Sequence, residues 1–376
     1  MRRYRVLFVF GTRPEAVKLC PLILRMRAGG ELEPRVCVTA QHREMLDAML
    51  ERFGVGADHD LDVMSANQPL NGLAARILER LDPVLESERP DFVVVQGDTT
   101  TTMAAALAAF HRRIPCGHVE AGLRTGDMTQ PFPEEMNRVV TGRLAALHFA
   151  PTPRAAENLL REGVAKERIH VTGNTGIDAL LYVRERLERG EWEGFPGDAP
   201  APGKKLILMT AHRRESFGEG FVRICEAVRR LARRGDVEIV YPVHPNPNVR
   251  EVVERMLGGV EGVRLVEPLD YVPFVDLMRR ADLLLTDSGG VQEEGPSFGK
   301  PVLVMREKTE RQEAVEAGAA ILVGTDPERI VFSAGRLLDS EEAREAFTRV
   351  RNPFGDGRAS ERIVRAIHSF LAGSGA

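Results

Sequence analysis

Only four cysteines occur in 376 residues, Cys20, Cys37, Cys116 and Cys225, and no two of them form a CxxC pair. Each lies in an apolar run, so buried free thiols and a reducing compartment are expected rather than a disulfide framework. No apolar stretch reaches the roughly 20 residues that a membrane-spanning helix needs, which argues against a membrane protein. The N-terminus enters a strand pattern at Tyr4–Phe10 without a signal-peptide layout, and a cytoplasmic location is expected. Excess positive charge is also missing. The net charge is −4 and the isoelectric point near 6.2, which argues against nucleic acid as a general partner. There is no HExxH and no close His/Asp cluster, so no metal site is expected. The GxSxG elbow of a serine hydrolase is absent as well.

What remains is an ordinary globular composition, 43% hydrophobic and 28% charged, in a chain long enough for two domains. Short apolar runs alternate with helical patterns. Strands are expected at Arg5–Phe10, Arg35–Thr39, Phe92–Gln96, Cys116–Val119, Ala146–Ala150 and Ile169–Thr172. Helices are expected between them at Pro14–Met26, Arg43–Phe53, Gly72–Leu85, Thr101–His111, Glu134–Leu144 and Pro153–Glu162. This alternation indicates an α/β fold with a doubly wound parallel sheet. The Gly- and Pro-bearing stretch Gly190–Gly203 reads as a loop near a domain boundary, which falls slightly earlier, near Thr172–Gly176. Strand runs then resume at Lys205–Met209, Glu238–Val243, Val263–Val266, Leu283–Thr286, Val302–Met305 and Ala320–Val323. The expected domains are 1–172 and 173–356, followed by a final segment 357–376 that holds the helix Ser360–Leu371. Two such sheets facing a central cleft would bring strand-end loops from both sides together.

Three acids stand out. Asp98 ends the run Asp91–Asp98, Glu120 ends Pro115–Glu120, and Glu134 opens the helix that follows Pro133. Acids at the carboxyl ends of buried strands suit proton transfer, because clustered carboxylates separate one another's acid and base roles. Each also has a plainer reading: Asp98 as a helix N-cap, Glu134 or Glu135 as a partner of the helix dipole. The turn Phe10–Lys18 is not GxGxxG. Its Arg13 and Lys18 at a helix start suit an anion, or are simply solvated charges. The turn Met209–Gly218 carries His212 and Arg213, and Val243–Asn246 carries His244; either histidine can be catalytic or structural. The run Leu285–Gly295 brings Ser288, Gly289 and Gly290 to a helix start where phosphate oxygens can approach backbone N–H groups. Glu294 lies further down that helix, where a carboxylate can accept both hydroxyls of a ribose. The loop Arg306–Arg311 adds cations.

Taken together, Phe10–Ala16, Gln96–Thr99, His118–Arg124, Pro133–Arg138, His212–Glu215 and Thr286–Gly290 resemble the non-hydrolysing UDP-N-acetylglucosamine 2-epimerase family. The strings follow the family's order through most of the chain. The resemblance implies a GT-B fold and UDP-GlcNAc ⇌ UDP-ManNAc interconversion without NAD or an essential metal. It implies elimination of UDP to a 2-acetamidoglucal and re-addition on the other face. Asp98, Glu120 and Glu134 would be the acid/base groups, with His212 near the diphosphate. Arg13, Lys18, Arg138, Ser288, Gly289, Gly290, Glu294 and Arg311 would hold the substrate, with Leu269 and Phe274 flanking the uracil. Leu269 departs from the Gln that relatives often carry. The family also implies a homodimer, surface polysaccharide as the destination of the product, and a second UDP-GlcNAc as activator near Gln41, His42, Arg213 and His244. Glu44 and Asn67 stand there in place of the Gln and Arg of some relatives. Three rival readings remain: a hydrolysing 2-epimerase releasing ManNAc, a GT-B glycosyltransferase, and a non-catalytic nucleotide-sugar sensor.

Overall fold

The computed structural model describes residues 3–39, 43–63 and 68–373. Parallel pairing within two separate sheets organises it, and the chain divides into two compact units. Unit 1 comprises Met1–Ala179 and Gly355–Ala376; unit 2 comprises Leu180–Phe354.

The strands of unit 1 are β1 (Tyr4–Phe10), β2 (Leu32–Val38), β3 (His59–Asp60), β4 (Phe92–Gln96), β5 (Cys116–Val119), β6 (Leu147–Ala150) and β7 (Ile169–Val171). Its helices are α1 (Arg13–Gly29), α2 (Arg43–Phe53), α3 (Leu70–Glu88), α4 (Thr100–His111), α5 (Glu134–Leu144), α6 (Pro153–Arg161) and the start of α7 (Thr175–Glu188). Unit 2 holds β8 (Lys205–Thr210), β9 (Val237–Pro242), β10 (Val263–Val266), β11 (Leu283–Thr286), β12 (Val302–Val304) and β13 (Ala320–Leu322). Its helices are α8 (Glu219–Ala232), α9 (Pro247–Leu257), α10 (Tyr271–Arg280), α11 (Gly289–Glu294), α12 (Gln312–Glu316), α13 (Pro327–Asp339) and α14 (Glu341–Thr348). The last helix, α15 (Ala359–Gly373), belongs to unit 1.

The sheet orders are β3-β2-β1-β4-β5-β6-β7 and β10-β9-β8-β11-β12-β13. In both, the order reverses next to the unit's first strand, so each sheet has a switch point between its first and its fourth strand. Loops leaving neighbouring strands there turn to opposite faces of the sheet and leave a crevice at the carboxyl ends. The first switch lies above Phe10 and Gln96, the second above Thr210 and Thr286. Both are bounded by apolar strands buried on both faces, as crossover helices require.

Periodicity locates every strand but β3, whose two residues are too short to alternate. It also gives no sign of α7, whose start occupies the stretch read as a boundary. Asp98 does not cap α4; Thr99 does, accepting from the Thr102 N–H at 3.1 Å. Ser288 stands at the N-cap position of α11, but its side chain makes no cap hydrogen bond. The four cysteines are buried free thiols, and burial pushes each up to about 12. Among the described residues, no helix is long and apolar enough to cross a membrane, and no group of three metal-ligating side chains is placed to hold an ion.

α15 packs on unit 1 through buried Ile363, Ile367 and Leu371. Phe370 meets Phe92 edge-on at 5.7 Å between centroids. Its first turn is anchored from α7, where the buried Asp178 accepts from the N–H groups of Ala359 (3.1 Å) and Ser360 (2.7 Å). These are orphan donors of a helix start, and a carboxylate satisfies them while opposing the helix dipole. Asp178→Ala is expected to cost about 1–2 kcal/mol of stability and to speed amide exchange over the first turn of α15. Unchanged exchange there would show that the cap does not hold the helix.

Candidate active site

At the first switch point, β1 runs into a turn that only glycine can make. A Cβ on Gly11 would lie 1.9 Å from Thr39 Oγ1, so any side chain would collide with the end of the neighbouring strand. Thr12 caps α1, and Glu15 completes the capping box. Glu15 does more than cap. One carboxylate oxygen accepts from Gly11 N (3.1 Å), Thr12 N (2.8 Å) and Thr12 Oγ1 (2.7 Å). The other accepts from Thr99 Oγ1 (2.8 Å), the N-cap of α4, and from Thr102 Oγ1 (3.4 Å) in its first turn. Burial raises its pKa, and these hydrogen bonds oppose the rise. Glu15 therefore clamps the turn bearing Arg13 and Lys18 to the turn bearing Asp98. The T-x-x-E spacing marks it in the sequence as a cap, but nothing local reveals the second turn.

Lys18, one turn further along α1, forms an ion pair with Glu120 at the end of β5. Gln96, the last residue of β4, donates to the same oxygen. Glu120 occupies the left-handed region at φ 65°, which is uncommon outside glycine. Such a conformation persists where surrounding contacts over-determine it, and it is a feature of functional sites. Asp98 accepts twice from Arg138 of α5, at 3.0 and 2.6 Å, and its carbonyl accepts from Asn137 Nδ2 at 2.8 Å. Arg138 also donates to the buried Glu135, which closes the Thr125–Gly126 turn through both N–H groups. Glu134 begins α5, with one carboxylate oxygen buried and unpartnered.

Thus the three acids stand in three settings around one hydrogen-bonded frame. Asp98 is gripped by a guanidinium, Glu120 by an ammonium and an amide, and Glu134 keeps a vacant acceptor. Beneath them, buried His118 bonds through Nε2 to the carbonyl of Gly97 at 2.7 Å, just before Asp98. Gly97 itself takes φ +74° there.

At the second switch point the organising residue is Asp287, fully buried at the end of β11. Its Oδ2 accepts from the backbone N–H groups of His212 (2.6 Å) and Arg213 (2.7 Å), which fixes the turn after β8. His212 Nδ1 lies 3.6 Å from Asp287 Oδ1, and its ring stacks on His244 at 5.2 Å. Partial burial lowers the proton affinity of His212; Asp287 opposes this, while His244 and Arg213 add to it. His244 is exposed, and Arg213 keeps a buried Nε without a partner. Ser288 donates its N–H to Thr286 Oγ1 at 2.9 Å. Arg311 pairs with Glu293 and lies over Gly289, where a Cβ would meet its guanidinium carbon at 3.0 Å. Arg306, almost fully buried, takes two carboxylates, Glu215 and Glu310, and thereby ties the His212 turn to the Arg311 loop. Its hydrogen bonds hold the Glu310 carboxyl down to about 2. Leu269 and Phe274 flank the start of α10, both partly buried, and Glu294 ends α11. Gln41 and His42 lie outside the described residues, as does Asn67.

A model of the UDP-N-acetylglucosamine 2-epimerase family matches residues 25–368. The UDP-N-acetylglucosamine 2-epimerase of Escherichia coli K12 is 55% identical over 368 residues, which is 96% of this chain and 98% of that protein. The crystal structure of a putative UDP-N-acetylglucosamine 2-epimerase from Listeria monocytogenes matches with a TM-score of 0.90 at 45% identity, over 99% of this chain and 97% of that one. The UDP-GlcNAc 2-epimerase of Neisseria meningitidis, solved bound to UDP-GlcNAc, matches with a TM-score of 0.87 at 46% identity, over 97% and 100%. The pair of doubly wound units is the GT-B architecture.

His118 and its in-register neighbour His148 on β6 carry a measurable signature. Burial lowers both from 6.5 to about 4. Between those values the unfolded chain binds a proton at each ring that the folded chain refuses. Stability is therefore full above about pH 6.5 and falls as pH drops toward 4, by roughly 3 kcal/mol per ring. His148→Gln is expected to remove about half of this slope in denaturant unfolding between pH 7 and 4.5. Equal slopes in the variant and the parent chain would contradict it.

Proposed function

The chain belongs to the UDP-N-acetylglucosamine 2-epimerase family, and from that premise we propose that it inverts C2 reversibly by the non-hydrolysing route, through elimination and re-addition of UDP. A carboxylate takes the C2 proton. The C2–H electrons become the C1=C2 double bond of 2-acetamidoglucal, and UDP departs with the C1–O pair. Re-addition reverses these bonds, with a proton delivered to the other face of C2. No water is consumed and no cofactor is needed, because atoms and electrons balance within the substrate.

One observation carries the reading: three carboxylates of unlike environment stand on one frame at a sheet switch point. Removing a proton from one face and returning one to the other requires acids that differ in role. General acid–base help of this kind gives ~10²–10⁴ in rate. Asp98, Glu120 and Glu134 supply the proton-transfer groups, with Arg138 and Lys18 as their partners. UDP is assigned to residues of unit 2: Ser288, Gly289, Gly290 and Arg311 for the diphosphate, Glu294 for the ribose, Leu269 and Phe274 for the uracil. His212, with its lowered proton affinity, serves the departing phosphate as a neutral hydrogen-bonding group. A departing anion is stabilised best by donors already in place.

Asp98→Asn, Glu120→Gln and Glu134→Gln are each expected to lower kcat by at least ~10² with the fold intact. Near-normal turnover in all three would remove the mechanism. Incubation with UDP-GlcNAc in D₂O, followed by NMR, tests the route itself. Deuterium at C2 of a sugar still joined to UDP is the expected result. Accumulating free ManNAc would mean hydrolysis, and an absence of C2 exchange would sink both.

A further inference from the structure

One partly buried hydrogen bond in unit 2 has no part in the scheme above. Tyr271 opens α10, and its hydroxyl donates to Glu294 Oε1 at 3.1 Å. Burial and the nearby Glu294 charge raise the phenol's pKa well above its ordinary value, so the hydroxyl remains a donor throughout the working pH range. Glu294 ends α11, a different helix, so the contact fixes the carboxylate from outside its own element.

A ribose presents two neighbouring hydroxyls, at C2′ and C3′. A carboxylate has two oxygens and about four acceptor positions, so it can take both hydroxyls only when its plane is held in register with the pair. Free rotation of a glutamate side chain works against this, since fixing a flexible side chain costs entropy on binding. A phenol donating to Oε1 occupies one acceptor position on that oxygen and sets the direction of the carboxylate. It also sits three residues before Phe274, adjacent along one side of α10, so the residue assigned to the base and the residue that sets the ribose acceptor ride on the same helix.

We propose that Tyr271 is a positioning residue that orients Glu294 as a two-hydroxyl acceptor and so makes this site select ribonucleotide sugars over their 2′-deoxy counterparts. The inference rests on the reading that Glu294 receives the ribose. A site built to hydrogen-bond a hydroxyl rejects an analogue lacking it, because the acceptor is left without its donor. Loss of one hydrogen bond to a charged group corresponds to roughly 10–100-fold in kcat/KM.

The test compares UDP-GlcNAc with 2′-deoxy-UDP-GlcNAc in the parent chain, Tyr271→Phe and Glu294→Gln, with thermal unfolding as a control for the fold. In the parent chain the ribonucleotide is expected to be preferred by about 10–100-fold in kcat/KM. Tyr271→Phe keeps the ring and removes the donor. It is expected to cut the preference by about 5–10-fold, mainly by raising KM for UDP-GlcNAc, and to change the deoxy substrate little. Equal losses on the two substrates, or an unchanged preference, would overturn the role of Tyr271 when Glu294→Gln abolishes the preference. An unchanged preference in Glu294→Gln would instead overturn the ribose assignment, and the inference with it.

Discussion

The Glu120 carboxylate is the tie on which the first switch point depends. Lys18 reaches it from α1 and Gln96 from β4, while Glu120 itself leaves β5 in a left-handed backbone conformation. An ammonium and an amide on one carboxylate bring three chain segments to a single point. A left-handed glutamate costs of order 1–3 kcal/mol, and it persists only where such partners fix it. Asp98 then follows from Gln96 by two residues, and Arg138 links Asp98 to the helix that Glu134 begins. The site is thus built from the backbone outward. Gly11 gives room for the turn, Glu15 fastens the turn to its neighbour, and the ion pairs set the acids.

The second switch point solves a similar problem with other partners. There the buried carboxylate of Asp287 binds the backbone of a turn rather than an ammonium and an amide. It fixes the turn that bears His212 and Arg213. Arg306, with Glu215 and Glu310, holds the next loop in place. A buried guanidinium shared by two half-exposed carboxylates is a poor source of stability but a good source of geometry. Each switch point therefore keeps its rigidity in buried polar contacts one step from its turns.

The strand ends were legible in the sequence, because they follow from periodicity; the strand order that places the switch points was not. The runs ending at Gln96, Val119 and Thr286 have the same C-terminal bounds in the structure. Asp98, Glu120 and Ser288–Gly290 lie just past strand ends, and Glu134 opens a helix, where the pattern put them. Contacts between distant segments were not legible. Asp98 reads as a cap because a cap is a local device; its actual partner, Arg138, is forty residues away. Glu15 completes a local capping box, while its other partners, Thr99 and Thr102, lie beyond any local window. Asp287 stands inside a recognised string yet acts on a turn 74 and 75 residues earlier. Tyr271 gives no local signal at all.

The four thiols carry a consequence of another kind. Each is buried, and each is pushed up to about 12, so almost no thiolate forms in the folded chain at neutral pH. The thiolate is the reactive species. Three of the thiols, Cys20, Cys37 and Cys116, belong to unit 1, and Cys225 belongs to unit 2. The native protein is therefore expected to be silent to alkylating reagents. Every labelled sulfur is a record of an opening event, and the position of the label says which half of the molecule opened.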